Sequence, residues 1–127
     1  MGQTAAIQID PADLVRHACV PCTGETPRLT PDEAARLATG IDPAWQVDET
    51  TVERTFRTRD FASALGLATR IGLLAENQGH HPDLEVGWGR LLVRWTTHAI
   101  GGLSQNDFVM AAKVDRIVES GAGLKKG

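Results

Sequence analysis

One long helical pattern constrains the fold more than any other feature of the chain, and it runs from Asp60, the predicted N-cap, to residue 77. Its apolar residues recur three and four positions apart, on a stripe nearly half the circumference wide: Phe61, Ala64, Leu65, Leu67, Ala68, Ile71, Leu74 and Ala75. We therefore expect this segment to be the central core helix. Gly79 and Pro82 cannot continue a helix. The next polar residues, His80 and His81, are accordingly predicted to lie in a loop at its C-terminal end.

The rest of the chain contains shorter helix and strand patterns. Thr30, followed by Pro31 and Glu33, has the form of an N-cap, a first-turn proline and a capping-box acid, which predicts the start of a helix. Two pairs of strand patterns are each joined by a short turn, and such hairpins imply an antiparallel sheet. The predicted elements are a helix at 30–40, strands at 45–47 and 51–56, the helix at 60–77, strands at 83–86 and 90–97, and a helix at 104–118. This order predicts a two-layer α+β fold, α-ββ-α-ββ-α, in which three helices pack on one face of a four-stranded antiparallel sheet.

The length of 127 residues fits one domain with a single hydrophobic core. We predict an irregular arm at 1–29 with one short helical turn, a domain at 30–120, and a frayed tail at 121–127. No apolar run approaches the roughly 20 residues that a membrane-spanning helix needs, and the N-terminus lacks the pattern of a signal peptide. We therefore expect a cytoplasmic protein without membrane contacts. The net charge of −3 argues against a nucleic-acid partner, because nucleic-acid-binding surfaces need a basic excess.

The arm carries both cysteines of the chain, Cys19 and Cys22, in a C-x-x-C spacing just after His17. Zinc would need further ligands, and a second C-x-x-C is absent. The strand-to-helix setting that lowers a thiol pKa in redox pairs is also absent. The pattern favours structural or incidental thiols, with metal binding and redox chemistry as the alternatives.

Three of the four histidines lie near two carboxylates at the predicted ends of helices and strands. His80 and His81 follow the long helix, and His98 lies at the end of the last predicted strand. Glu76 is in the last turn of the long helix, where its charge opposes the helix dipole. Asp107 has the position of a capping-box acid, but its helical register also places it on the inward face of the last helix. These five side chains therefore form a candidate site.

Two chemistries are open to this cluster, metal binding and proton transfer. Three histidines and a carboxylate would satisfy zinc, but the adjacent His80 and His81 are poorly placed to bind one ion, and no H-x-H or H-x-x-x-H spacing is present. Imidazoles that titrate near neutral pH are suited to proton transfer. The chain also lacks a G-x-S-x-G nucleophile motif and a Gly-rich phosphate loop. The residues alone thus favour a metal-free proton-transfer site for a small molecule.

The spacing of these residues resembles the signature of the pterin-4a-carbinolamine dehydratases. The similar segments are Glu76-x-x-x-His80-His81-Pro82, Thr97-His98, and Gly102-Leu103-Ser104 followed by Asp107. The resemblance extends from about Leu29 to Val118, and it implies a four-stranded antiparallel sheet with helices packed on one face. One departure is Leu84, where the family usually has an aromatic residue near the pterin. This departure bears on affinity more than on chemistry.

The resemblance implies an enzyme, a 4a-hydroxytetrahydrobiopterin dehydratase. This hydro-lyase removes water from a 4a-hydroxytetrahydropterin to give quinonoid dihydropterin, in the recycling of the pterin cofactor and in tetrahydrobiopterin biosynthesis. It implies no cofactor and no metal. His80 and His98 would act as acid and base, and His81 would orient the pterin beside them. The substrate contacts implied are Glu76, His81, Pro82, Thr97 and Asp107.

The resemblance also bears on partners, because it implies a homodimer or a homotetramer. The candidate subunit contacts are Leu92, which faces outward on a predicted strand, and a thin stripe on the long helix formed by Ala62, Gly66 and Leu73. A different class of function is a non-catalytic dimeric interaction module, of the transcription-coactivator or assembly-chaperone type. The intact motif favours the enzyme.

Overall fold

A computed structural model describes residues 9–120. Within this range the chain forms α1 (Pro31–Ala38), β1 (Gln46–Val47), β2 (Val52–Arg57), α2 (Phe61–Gln78), β3 (Asp83–Gly87), β4 (Arg90–Trp95) and α3 (Gln105–Glu119). Two short 3-10 helices, Pro11–Arg16 and His98–Ile100, add to these elements. The predicted element order and the α+β class are confirmed.

The four strands form one antiparallel sheet in the order β1-β2-β4-β3. Its register pairs Val52 of β2 with Trp95 of β4. One face of the sheet is apolar, and both α2 and α3 contact β4. The buried side chains on this face are Val52, Phe56, Leu91, Val93 and Trp95. The opposite face is polar, and there Arg94 donates a hydrogen bond to Glu53 at 2.8 Å. The difference between the apolar and the polar face confirms the prediction that the helices pack on one face of the sheet.

Local signals set the ends of the helices, as predicted. Thr30 accepts a hydrogen bond from the Glu33 amide at 3.1 Å, and the Glu33 carboxylate accepts one from the Thr30 amide at 2.8 Å. Asp60 caps α2 by accepting from the Ser63 amide at 2.7 Å, and this bond lowers the pKa of the Asp60 carboxyl. Gly79 ends α2 with a left-handed φ of 71°, a conformation that side chains disfavour.

The core stripe of α2 is narrower than predicted. Its buried residues are Ala64, Leu67, Ala68, Ile71 and Ala75. Phe61 and Leu65, which the pattern assigns to the core, are 47% and 48% exposed. The reason is geometric, because the strands β3 and β4, which pack against α2, cover only part of the helix circumference. Leu73, predicted to lie outside the core, is 69% exposed.

The last strand is shorter than predicted, because β4 ends at Trp95 rather than at Thr97. Thr97 forms only an isolated bridge with Gly102. Its side chain is buried, whereas His98 begins the following 3-10 helix and is exposed. His98 therefore lies in a turn after the strand and not at the strand end.

The N-terminal arm packs on the same core as the rest of the chain. The predicted helical turn is the 3-10 helix Pro11–Arg16, and Leu14 within it is fully buried. Leu29, at the other end of the arm, is also buried. The domain boundaries remain a prediction, and the predicted tail at 121–127, like 1–8, lies outside the described residues. None of the helices in 9–120 combines the length and the apolar character needed to cross a membrane.

Candidate active site

The centre of the site is a hydrogen bond between His80 and Asp107. Gly79 turns the chain at the end of α2, so that the next residue, His80, points its ring inward, and the residue is only 8% exposed. Its Nε2 lies 2.7 Å from Oδ1 of Asp107. Because a carboxylate only accepts hydrogen bonds, this contact places a proton on Nε2. No residue in the described range hydrogen-bonds the other ring nitrogen, Nδ1.

Asp107 is fully buried at the start of α3, and several donors compensate for its burial. Its Oδ2 accepts hydrogen bonds from the Thr97 hydroxyl at 2.7 Å and from the Ser104 amide at 3.0 Å. The Thr97 and Ser104 hydroxyl oxygens are themselves 2.7 Å apart. Asp107 thus caps α3 and also holds His80. It is both a capping-box acid and an inward-facing residue of the last helix, as its sequence position indicates.

Trp95 stacks against the face of the His80 ring. The two rings stack at a centroid distance of 5.9 Å, with 11° between their planes. Trp95 is fully buried, and its indole N–H has no hydrogen-bond partner in the described part of the chain. Trp95 lies in the predicted strand at 90–97, but the sequence pattern did not assign it to the site. Its position two residues before Thr97 puts it on the same strand face as that residue, but this spacing does not predict contact with His80.

A second imidazole–carboxylate pair lies at the surface beside the first. Nε2 of His81 is 2.9 Å from Oε1 of Glu76, across the last turn of α2. Both side chains are exposed, at 61% and 81% of their area, so this pair is accessible to a ligand. Pro82 follows and is partly buried at the start of β3. Two of the predicted residues, Glu76 and His81, therefore form an exposed pair, and Pro82 directly follows it in the chain.

His98 contributes an exposed imidazole next to the buried cluster. It directly follows Thr97, whose side chain holds Asp107. No described residue hydrogen-bonds the ring of His98, and its backbone oxygen accepts from the Gly101 amide at 3.1 Å. Leu84, the predicted departure from the family pattern, is partly buried and pairs with Val93 on the helix-covered side of the sheet.

The structure also bears on the alternatives of metal and thiol chemistry. No group of three or more His, Cys, Asp or Glu side chains within 9–120 is arranged to hold a metal ion. The thiols of Cys19 and Cys22 are both free. Burial raises the pKa of the Cys19 thiol to about 12, which keeps it protonated at neutral pH. Two surface cavities, of about 700 and 310 Å³, are lined by residues other than those predicted for the site.

Comparison with known proteins identifies the family to which this chain is similar. Residues 27–117 match the family model described as pterin 4 alpha carbinolamine dehydratase. A Rubrobacter xylanophilus protein provisionally named as such a dehydratase is 49% identical over 107 residues, which is 84% of this chain and 99% of that protein. A Methylococcus capsulatus protein with the same provisional name is 44% identical over 111 residues, or 86% of this chain and 96% of that protein.

A solved structure supports the same conclusion. A Brucella melitensis protein described as a transcriptional coactivator/pterin dehydratase matches with a TM-score of 0.66 and 33% identity. The match covers 72% of this chain and 98% of that one. By sequence and by fold, this chain belongs to the pterin 4 alpha carbinolamine dehydratase family.

Proposed function

We propose that the protein is a hydro-lyase that converts 4a-hydroxytetrahydropterin to quinonoid dihydropterin and water, in the recycling of a pterin cofactor. The observation that supports this proposal most is the buried His80–Asp107 pair, with Nδ1 of His80 free of described partners. A carboxylate on one ring nitrogen stabilises the imidazolium that forms when the other nitrogen accepts a proton. A pair of this kind is suited to general base catalysis.

The reaction needs two proton transfers. The bond between C4a and the hydroxyl oxygen breaks, and the leaving oxygen takes a proton to become water. The N5–H bond also breaks, and its electrons form the new double bond between N5 and C4a. We assign His80 to the removal of the N5 proton through Nδ1, because Asp107 supports the resulting charge. We assign His98 to the leaving oxygen, because its exposed ring is free to exchange protons with solvent.

The remaining predicted residues have positioning roles in this proposal. The exposed Glu76 carboxylate accepts hydrogen bonds, and the donor groups of a pterin ring match it. His81, paired with Glu76, and the adjacent Pro82 orient the ring. Thr97 donates its hydroxyl to Asp107, and its backbone amide and oxygen pair with Gly102 and Ile100, so we assign it to holding Asp107 and not to a substrate contact. Both oxygens of Asp107 are occupied, and we assign it to fixing the tautomer of His80.

A direct assay tests the proposed function. The formation of quinonoid dihydropterin from enzymatically generated carbinolamine is followed with and without the protein. We expect the protein to accelerate it, and we expect His80→Ala and His98→Ala each to slow turnover by about a hundredfold, the usual contribution of a general acid or base. His17→Ala is the matched control, because this fourth histidine is exposed in the arm. Unchanged turnover in the His80→Ala, His98→Ala double variant would exclude the assignment.

The same assay separates the enzyme from its alternatives. A non-catalytic interaction module, as the coactivator description of the Brucella melitensis structure suggests, gives no acceleration above the uncatalysed rate. A metal enzyme loses its activity in chelator and contains stoichiometric metal by elemental analysis. We expect acceleration that chelator does not change.

We also propose that the protein is a homo-oligomer. Phe61, Leu65 and Leu73 expose about half or more of their area along the outer side of α2, next to the small residues Ala62 and Gly66. A second copy is the occupant that the sequence pattern favours for this surface. Light scattering tests it, with Leu73→Glu expected to lower the mass. Ala35→Glu, at an exposed position of α1, is the control for added charge. A monomeric wild-type protein would contradict the proposal.

A further inference from the structure

His98 has no side-chain support of its own, although the proposed reaction depends on its position. Its ring is exposed, and no hydrogen bond from the described residues holds it. Its position therefore depends on the backbone of the short loop at 98–102. The bridge between Thr97 and Gly102 closes this loop at its base. The amides of Ile100 and Gly101 bond to oxygens within the loop, but the backbone oxygens of these two residues have no partner in the loop itself.

Arg28 of the N-terminal arm holds the tip of this loop. Its Nη2 donates hydrogen bonds to the backbone oxygens of Ile100 and Gly101, both at 2.8 Å. A methyl group on Gly102 would lie 2.5 Å from Arg28 Nε and 2.9 Å from Cδ, so only glycine lets the arginine side chain lie against the loop. The next residue, Leu29, extends this contact by donating its amide to the oxygen of Leu103 at 2.9 Å.

The other end of the arm is tied to the elements that carry His80 and Asp107. Asn106, directly before Asp107, accepts from the Val20 amide at 3.0 Å and donates to the Val20 oxygen at 2.7 Å. Gln78, the last residue of α2, accepts from the Cys19 amide at 2.9 Å. The arm thus contacts the end of α2, the start of α3 and the loop of His98.

We propose that the arm segment 19–29 is a strap that fixes the position of His98 relative to the His80–Asp107 pair, and that Arg28 is the positioning residue for His98. The proposal rests on the proposed function, since it explains how two catalytic imidazoles on separate segments keep one geometry. The planar guanidinium suits this role, because one terminal nitrogen satisfies two carbonyl oxygens that the short loop leaves unpaired. Small displacements of a catalytic group are costly, so the loop needs such a brace.

Arg28→Ala in the full-length protein tests the strap. Arg28 is exposed, so we expect the variant to keep the wild-type unfolding midpoint. We expect kcat for carbinolamine dehydration to fall by about tenfold, as displacement of a catalytic group predicts. We also expect faster hydrogen exchange in the amides of 98–102, with unchanged exchange at 76–80. Arg28→Lys retains one donor group and is expected to restore part of both losses.

Arg16→Ala is the matched control. Arg16 is a second exposed arginine of the arm, and its side chain lies 3.6 Å from Asp13, whereas the hydrogen bonds to the loop come from Arg28. This variant removes the same charge and is expected to change neither kcat nor exchange at 98–102. Gly102→Ala gives an independent test, because the added methyl displaces the Arg28 side chain. It is expected to reproduce the effects of Arg28→Ala.

Each outcome decides the proposal. Unchanged exchange at 98–102 in Arg28→Ala shows that the arginine does not brace the loop, and faster exchange with wild-type kcat shows that the brace does not position His98. Either result overturns the proposal. Hydrogen exchange does not depend on turnover. A wild-type protein without dehydratase activity would therefore contradict the proposed function, while the exchange at 98–102 would still decide whether Arg28 holds the loop.

Discussion

Two carboxylates on α3, about two helical turns apart, show what distinguishes the candidate site from the rest of the molecule. Asp107 and Asp115 are both largely buried, and both accept three or more hydrogen bonds. Asp107 binds an imidazole, a hydroxyl and a backbone amide. Asp115 accepts from the Trp45 indole N–H at 2.7 Å, the Arg54 guanidinium at 3.1 Å and the Asp42 amide at 2.8 Å.

The two carboxylates differ in their hydrogen-bond partners and not in their burial. The partners of Asp115 are a guanidinium, an indole N–H and a backbone amide, groups that do not exchange protons in catalysis, and they tie the segment after α1 and the sheet to α3. The partner of Asp107 is an imidazole, a group that can take up and release a proton, so Asp107 can support proton transfer at His80. A buried carboxylate is therefore weak evidence for a site by itself. A buried carboxylate on a titratable partner with one free nitrogen is much stronger evidence.

The largest expected effect comes from Asp107→Asn. The variant keeps the shape of the side chain but loses the charge that supports the imidazolium of His80, and its amide N–H₂ cannot accept the hydrogen bonds that Oδ2 accepts. We expect turnover to fall by about a hundredfold or more. Steady-state dehydration kinetics measure the effect. Wild-type turnover in this variant would remove the distinction between the two carboxylates.

Asp115→Asn is the counterpart on the same helix. We expect wild-type turnover, because Asp115 contacts none of the proposed catalytic residues. We expect a loss of about 1–3 kcal/mol in the free energy of unfolding, the usual cost of leaving buried donors without an acceptor. Urea unfolding measures it. A large loss of turnover at unchanged stability would show that the two carboxylates do not have separate roles.

Glu76→Gln sharpens the comparison with an exposed pair. An exposed ion pair contributes about 0–1 kcal/mol, so the stability of the protein is expected to stay close to that of the wild type. We propose that the carboxylate binds the donor groups of the pterin, so we expect KM to rise by about tenfold because one charge-assisted hydrogen bond to the substrate is lost. Measurement of KM and kcat separates this role from catalysis. A fall in kcat at constant KM would contradict it.

The smallest expected effect is on pH dependence. Burial raises the pKa of the Asp115 carboxyl above its ordinary value of 3.8, although its hydrogen bonds and Arg54 oppose the shift. A raised folded-state pKa means that folding favours the protonated form. Its contribution to stability is complete below pH 3.8 and is lost as pH rises through the folded-state value. The free energy of unfolding of the wild type, relative to that of Asp115→Asn, should therefore decrease as pH rises from 3.8 through the folded-state pKa. Urea unfolding at several pH values measures this difference, and an increase with pH would contradict the sign.

The sequence predicted those parts of the fold that local chemistry determines. The caps at Thr30 and Asp60 and the glycine at the end of α2 act within a few residues of themselves. The exposed side of α2 was mispredicted at Phe61 and Leu65, because the width of the covering layer is a tertiary property. β4 ends early for a similar reason, since Thr97 leaves the sheet pairing and binds a carboxylate ten residues later.

The candidate site was predictable to the extent that its residue types are diagnostic. His80 and Asp107 stood out as titratable side chains near element ends, and the structure brings them into one hydrogen bond. The stacking of Trp95 on His80 and the reach of Arg28 to the loop at 98–102 were not predictable. Both contacts join segments far apart in the chain, and neither residue type is diagnostic of a site.

The tautomer of His80 is the most direct test of the account, because its central claim is that Asp107 holds the proton on Nε2 and leaves Nδ1 for the substrate. Nitrogen NMR of the imidazole, at a pH where the ring is neutral, distinguishes the two forms. We expect a protonated Nε2 and an unprotonated Nδ1 in the wild type, and loss of this single form in Asp107→Asn. A neutral His80 with its proton on Nδ1 would contradict the account.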